Sequence, residues 1–342
     1  MKLPLFKIGV SADDIAAVNK VLARGESWAQ GPEIEEFEQR IAEYIGTEYA
    51  VVFNSGTSAL HAIMLALSIG RGSETIVPAF TFAATANAPR FVGSRPVFTD
   101  IDRESFGLDA NEVLNDICRH TRVIIAVHYA GCPCNIKALE DVAEAEGIHL
   151  VEDCAEAFGA EVDGKKVGSF GIASAHSFCQ SKIISTGEGG AVTTDHPFIY
   201  RDLLSLRSHG CPCYIGYNWR MPTMNAALGL SQLNRVDEII SKRRAVAERW
   251  QNGLVNSSIV SVPEVPYSRK HVYQMFPMLA KGSRDELIDY LKKAGIDSKV
   301  YFPSLTSQRL PVTDDISSKV LCLHPHPALT EEEIKYVIEV LK

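Results

Sequence analysis

Ser177-Phe178-Cys179-Gln180-Ser181-Lys182-Ile183-Ile184-Ser185-Thr186-Gly187-Glu188-Gly189-Gly190 sets one lysine between a short β-like run, Ala173 to Phe178, and a turn rich in Ser, Thr and Gly. That spacing displays an ammonium at the end of a strand, where open α/β sheets bind ligands. A lysine in a partly enclosed pocket loses its proton readily and then acts as an amine nucleophile, for instance toward an aldehyde cofactor. Taken alone, Lys182 reads better as a solvated loop cation, one of 34 Lys and Arg. Its surroundings decide.

Outward from this stretch, strand-like runs at Tyr49 to Phe53, Thr75 to Pro78, Arg95 to Thr99, Arg122 to Val127 and Ile148 to Glu152 alternate with helical patterns starting near Thr57, Phe82, Asp109 and Asn135. Short β-rich runs separated by helices imply right-handed βαβ units and a mostly parallel sheet. Ala173 to Phe178 and Ala191 to Thr194 extend the same sheet. Before it, Ser11 and the helix after Gly31-Pro32 predict a helical arm of the kind that clasps a partner subunit. After it, one long helix is expected from about Met224 through Trp250. A smaller α+β pattern follows, with a strand at Tyr273 to Leu279 and capped helices at Ser283 and Thr330. The expected organisation is α/β: a mostly parallel mixed sheet sandwiched by helices over residues 1–240, and a small α+β domain over 241–342.

The chain has 342 residues, 46% hydrophobic, and a net charge of −8 without a dense basic run. This disfavours a nucleic-acid or anionic-membrane surface. The N-terminus is interrupted by charge too early for a secretory signal and no apolar run reaches membrane-spanning length, so a cytoplasmic protein with reduced thiols is expected. Two Cys-Pro-Cys triplets, Cys132 to Cys134 and Cys211 to Cys213, are spaced more tightly than usual zinc ligands. No metal is expected.

Three further stretches bear on Lys182. Asn54-Ser55-Gly56-Thr57-Ser58 leaves a strand and opens a helix, offering free N–H groups and hydroxyls to a phosphate; a plain capped turn is the alternative. Val151-Glu152-Asp153 ends an apolar strand in carboxylates, and one buried in a sheet crevice needs a cation, such as a protonated pyridine nitrogen. An aspartate capping the next helix reads as well. Pro78-Ala79-Phe80-Thr81-Phe82 offers an aromatic to stack on a flat ring, although a core Phe is commoner. Phosphate cradle, stacking ring, acid and amine on successive strand ends together describe pyridoxal 5'-phosphate.

Over nearly its whole length the sequence resembles the DegT/DnrJ/StrS sugar aminotransferases, of the fold type I, aspartate-aminotransferase-like class of pyridoxal-phosphate (PLP) enzymes. The likeness is carried by Gly31-Pro32, Ser55 to Leu60, Pro78-x-Phe80-Thr81-Phe82-x-x-Thr85-Ala86-Asn87, Glu152 to Ala155, Thr186 to Gly190, Gly216 to Met221, and His324-Pro325-x-Pro327-x-Leu329-Thr330. The resemblance implies that Lys182 is the catalytic residue, forming an aldimine with the cofactor and then shuttling the proton. It implies that Asp153 pairs with the pyridinium, that Phe82 stacks on the ring, that Gly56, Thr57 and Ser177 hold the phosphate, and that Asn218 reaches the cofactor of a second subunit in a homodimer with shared sites. The implied chemistry is ping-pong transfer through ketimine and pyridoxamine intermediates, from L-glutamate or glutamine to a nucleotide-linked keto-sugar. Glu156 stands where many members carry Gln beside the phenolic oxygen of the cofactor; Glu there resembles the subgroup that aminates C4. Phe158 stands where they often carry His, and Tyr301 to Leu305 lacks a His usual in the family. The rivals are a sugar dehydratase of the same fold, whose known relatives replace the lysine by His, and a non-catalytic PLP-binding regulator. Lys182 and Asp153 argue against these.

Overall fold

The computed structural model describes residues 2–211 and 214–342. Two helices, α1 (Ala12–Arg24) and α2 (Pro32–Ile45), precede β1 (Tyr49–Phe53), α3 (Gly56–Ala66), β2 (Glu74–Pro78), α4 (Ala83–Phe91), β3 (Arg95–Thr99), α5 (Ala110–Asp116), β4 (Thr121–Val127), α6 (Ile136–Glu146) and β5 (His149–Asp153). Next come β6 (Glu161–Val162), β7 (Lys165–Lys166), β8 (Ala173–Ser177), β9 (Gly190–Thr194), α7 (Pro197–Arg207), a hairpin of β10 (Ser208–Cys211) and β11 (Tyr214–Asn218), α8 (Thr223–Leu233) and α9 (Val236–Leu254). The remainder holds β12 (Val260–Ser261), β13 (Arg269–Lys270), β14 (Phe276–Ala280), α10 (Arg284–Lys293), α11 (Pro311–Lys319), β15 (Val320–Leu323) and α12 (Glu331–Leu341).

The central sheet has seven strands in the order β1-β9-β8-β5-β4-β2-β3. The β3, β2, β4, β5 and β8 neighbours pair parallel, whereas β9 runs antiparallel to both β8 and β1. This is the mostly parallel α/β arrangement that the sequence predicts. Strand periodicity sends successive side chains to opposite faces: Val52, Ile76, Ile124 and Ala126 pack with α2, α6 and α8, and Val51, Val77, Val123 and Ile125 with α3 and α7. Both faces are therefore covered, as parallel sheets require.

The helix starts follow their caps. Ser11 and Asp14 form a reciprocal capping box on α1, as Thr330 and Glu333 do on α12, and Ser283 caps α10. The first two helices lie against α8 of the same chain: Phe37 of α2 is fully buried where a Cβ on Gly229 would come within 2.4 Å of its ring. The expected arm is thus packed into its own subunit.

The single helix expected from Met224 to Trp250 is two helices. Arg235, at φ −125° and ψ 18°, leaves helical geometry between α8 and α9, and its guanidinium bonds the buried Asp14 at 2.5 Å and the Gly9 carbonyl at 3.1 Å. The break has a tertiary cause that helical periodicity does not register. Beyond it, α9 gives Val236 and Ile240 to the core under the sheet and Val246, Trp250 and Leu254 to a separate core with β14, β15, α12 and Leu3. The segment after Leu3 crosses this C-terminal part, starting from a Leu3 N–H bond to the Gly295 carbonyl at 2.8 Å.

Candidate active site

Because β9 returns beside β8, the loop that carries Lys182 leaves and re-enters the sheet at one end, where Ser177 pairs with Gly190. Three side chains pin it from behind: Gln232 Oε1 accepts the Ser185 N–H at 2.8 Å, Asn225 Nδ2 donates to the Thr186 carbonyl at 2.8 Å, and Gln274 Nε2 donates to the Ser181 carbonyl. Local sequence offered no signal for these partners, which arrive from distant elements.

The N-terminus of α3 meets the same corner. A Cβ on Gly56 would stand 2.9 Å from Ser177 Cβ, and one on Gly190 only 2.5 Å from the Ser55 carbonyl, so glycine at both places lets the first turn of α3 approach the ends of β8 and β9. Ser55 caps the helix by accepting the Ser58 N–H at 3.1 Å, and Ser58 Oγ donates to Asn54 at 2.7 Å. Those hydroxyls are committed. Thr57 remains exposed, and Ser177 is half-buried beside it.

At the end of β5, Asp153 is buried. Its Oδ2 accepts the Thr85 hydroxyl at 2.8 Å and its Oδ1 the Ala155 N–H at 3.1 Å. Thr81 and Thr85 hydroxyls are 2.9 Å apart; since Thr85 gives its proton to Asp153, Thr81 donates to Thr85. Asp153 has no cation within ion-pairing distance among the described residues, and burial pushes its carboxyl above the usual range, against the weaker pull of Thr85, Ala155 and Lys182. The alternating neighbour Glu152 points to the other face, where it accepts from Gly168 N–H, Phe170 N–H and Ser174 Oγ, and meets His128 at 2.9 Å. His128, Glu152 and Cys154 approach one another closely enough for a metal, but His128 Nδ1 already accepts the Cys134 N–H, which leaves its Nε2 proton for Glu152. In the first Cys-Pro-Cys triplet both thiols are buried; the second includes positions outside the described residues.

Glu156 lies between the lysine loop and the turn after β4. Its Oε2 accepts the Ala130 N–H at 2.9 Å and its Oε1 stands 3.7 Å from Lys182 Nζ. Burial raises its carboxyl, and the Lys182 charge counters part of that rise. Phe82, the residue before α4, is 60% exposed with its ring 5.8 Å from that of Phe302. Phe158 packs edge-on to His176 and Phe178 in the core. Asn218 is exposed at the end of β11, and only its backbone carbonyl meets this corner, through Asn54 Nδ2 at 3.4 Å. Its side chain is not brought to Lys182 within one chain.

Lys182, Glu156 and Asp153 therefore share one strand-end corner with the glycine-shaped N-terminus of α3. The donor set fits pyridoxal 5'-phosphate: an amine, a buried carboxylate lacking a cation, and unpaired N–H groups for a phosphate. Thr85, which sequence reading left without a role, is the hydroxyl that orients the carboxylate.

Known proteins are similar to this one over nearly its whole length. A GDP-perosamine synthase of Escherichia coli O157:H7 is 32% identical, the match covering 98% of this chain and 97% of that one. Among solved structures, DesV of S. venezuelae, in complex with a ketimine intermediate, superposes with a TM-score of 0.92 at 31% identity, over 96% of this chain and 93% of that one. Spr1654 of Streptococcus pneumoniae in its PLP form superposes with a TM-score of 0.95 at 27% identity, over 100% and 98%. The model of the DegT/DnrJ/EryC1/StrS aminotransferase family matches residues 10–342, and the chain belongs to that family.

Proposed function

We propose that this enzyme is a PLP-dependent sugar aminotransferase that moves an amino group from L-glutamate or glutamine to C4 of a nucleotide-linked keto-sugar. The observation that carries it is the corner itself: Lys182 Nζ at 3.7 Å from Glu156, with buried, cation-free Asp153 beside them. Bound there, the cofactor supplies an aldehyde for amines and a ring that withdraws electrons from the adjoining carbon. Asp153, steered by Thr85, holds a proton on the ring nitrogen and so keeps that withdrawal strong. Lys182 would hold the cofactor's aldehyde end, and its amine is the group on this chain that could take up and return a proton there. Glu156 stands next to it as proton partner. Gly56 and Thr57 at the N-terminus of α3, with Ser177 at the end of β8, would hold the phosphate, and Phe82 would cover the ring.

The name of the Escherichia coli relative supports a GDP-linked amino sugar as product. Glu156 in place of Gln supports the C4 assignment. A homodimer belongs to the reading: Asn218 is exposed, and Phe198 at the start of α7 and Ile215 in β11 expose 71% and 81% of their surface. No helix among the described residues is long and apolar enough to cross a membrane, in keeping with a cytoplasmic enzyme.

The test is an absorbance spectrum of the PLP-loaded protein before and after L-glutamate, beside Lys182→Ala. We expect a visible band that glutamate converts to a near-ultraviolet one, and a variant unable to complete the cycle. A visible band that no amino donor converts would move the chain to the regulator reading.

A further inference from the structure

Residues 3–9 run from one core of the molecule to the other. Leu3 is buried in the C-terminal core and is clipped there as a parallel bridge to Ile296: its N–H donates to the Gly295 carbonyl at 2.8 Å and its carbonyl accepts the Asp297 N–H at 3.0 Å. Farther along, the Gly9 carbonyl accepts from Arg235 Nη2 at 3.1 Å, at the break between α8 and α9. This second clip is itself fixed, because Arg235 also holds the buried Asp14, whose other oxygen accepts the Ser231 hydroxyl at 2.7 Å.

Between the clips the strap is held by little. Residues 4–8 make no hydrogen bond among the described residues, through backbone or side chain. Leu5 and Phe6 are half-buried, with the Phe6 ring 6.0 Å from that of His324, and Lys7, Ile8 and Gly9 are exposed. A backbone without hydrogen bonds, tied at two points and packed through two side chains, opens at far lower cost than the elements that flank it. Gly9 suits a hinge. A Cβ there would meet nothing within 4 Å and its φ lies outside the left-handed region, so neither crowding nor strain calls for glycine; what it gives is freedom of the chain. Under the strap is the lysine. Phe6, Lys7, Ile8 and Gly9 form one wall of a hollow whose other walls are the lysine loop, Lys182 included, and α9. The Lys182 side chain is 18% exposed.

We propose that residues 4–8 are a hinged cover over the hollow beside Lys182, swinging on Gly9 between its two clips, and that small molecules reach the lysine when it opens. The weakly held middle supplies the motion and the clips bring the segment back to one seat. The bearing of this cover on turnover rests on the aminotransferase reading above; the motion itself does not.

Two rates on the PLP-loaded protein test it. Tryptic cleavage after Lys7 requires the strap to leave its seat, and loss of the visible band to hydroxylamine, a small amine that takes the cofactor's aldehyde, requires access to Lys182. We expect cleavage after Lys7 to outpace cleavage after Lys335, exposed in the middle of α12, at least tenfold. Phe6→Gly, which removes the ring beside His324, should speed cleavage and band loss together at least fivefold. Gly9→Ala, which stiffens the hinge without a clash, should slow both at least twofold, and Tm should be unchanged in each variant. Lys7 cleaved no faster than Lys335, or cleavage that changes in the variants while band loss does not, overturns the cover. Acceleration in Phe6→Gly with no change in Gly9→Ala marks a fixed wall and overturns the hinge. Should Phe6→Gly melt early, Gly9→Ala decides alone: slower on both counts supports the cover, and no change overturns it. If PLP produces no visible band, the aminotransferase reading fails on its own account; labelling of Lys182 by trinitrobenzenesulfonate, read by peptide mass, then replaces hydroxylamine under the same criteria.

Discussion

Thr85→Val isolates the electrostatic core of the site. The substitution preserves side-chain shape at a fully buried position and removes the hydroxyl that donates to Asp153 Oδ2 at 2.8 Å. Burial already works against the charged carboxylate, and the Thr85 bond is the largest influence opposing it. A hydrogen bond to a charged group is worth about 1.5–3 kcal/mol, and each 1.4 kcal/mol is tenfold. The ionised form of Asp153 should thus become about 10- to 150-fold scarcer relative to the protonated form. Only the ionised form can pair with a protonated ring nitrogen. PLP affinity, measured by titrating cofactor-free protein and following the visible band, should therefore fall by about one to two orders of magnitude, by less if neutral Asp153 still accepts a proton-sharing contact. Affinity within threefold of wild type, at unchanged Tm, would refute the assignment of Thr85 and weaken that of Asp153.

Two more perturbations follow from the geometry. In Glu156→Gln the sign is fixed by burial: a carboxyl whose folded pKa is raised above 4.5 loses stability as pH rises from that value through the folded one, so the variant, in cofactor-free form, should melt at a higher temperature than wild type at neutral pH and show a flatter Tm profile above pH 4.5. The same variant should displace the pH midpoint of the visible band in the loaded protein, and an unchanged midpoint would remove Glu156 from the cofactor's phenolic oxygen. Gly56→Ala sets a methyl 2.9 Å from Ser177 Cβ, and should cost about 1–3 kcal/mol of stability by urea unfolding and loosen phosphate binding with it.

Much of this architecture is legible in the chain because its signals are local. Continuous apolar runs such as Val51-Val52-Phe53 and Val123 to Val127 mark strands buried on both faces, and Ser11, Ser283 and Thr330 announce their helices by capping chemistry. What escapes is set by distant partners. Arg235 breaks a periodic helix because Asp14, far away in sequence, draws its guanidinium. In the hairpin, Ser208–Cys211 has little strand character of its own and pairs with the Tyr- and Ile-containing strand Tyr214–Asn218, Ser208 opposite Asn218. In the site, motif spacing singles out Lys182 and Asp153, but Thr85, Gln232 and Gln274 act through contacts that only the fold creates. Asn218 is the opposite case: motif likeness assigns it a role that one subunit's geometry leaves unfilled.

The antiparallel return of β9 beside β8 has a consequence for how this enzyme can change. Residues 178–189 begin and end at one paired rung, Ser177 with Gly190, so the chemistry rides on a detour that the sheet closes before and after it. Loop length enters closure entropy only logarithmically, and the register of the strands on either side is set by their own pairing, Ser174 to Ser177 with Gly190 to Thr193. Reactivity is in this sense modular only in part: Phe178, Ile183 and Ile184 of the detour belong to the core, whereas substitutions at Lys182 itself or at exposed Gln180 and Glu188 can retune or abolish the reaction and leave a protein that still folds.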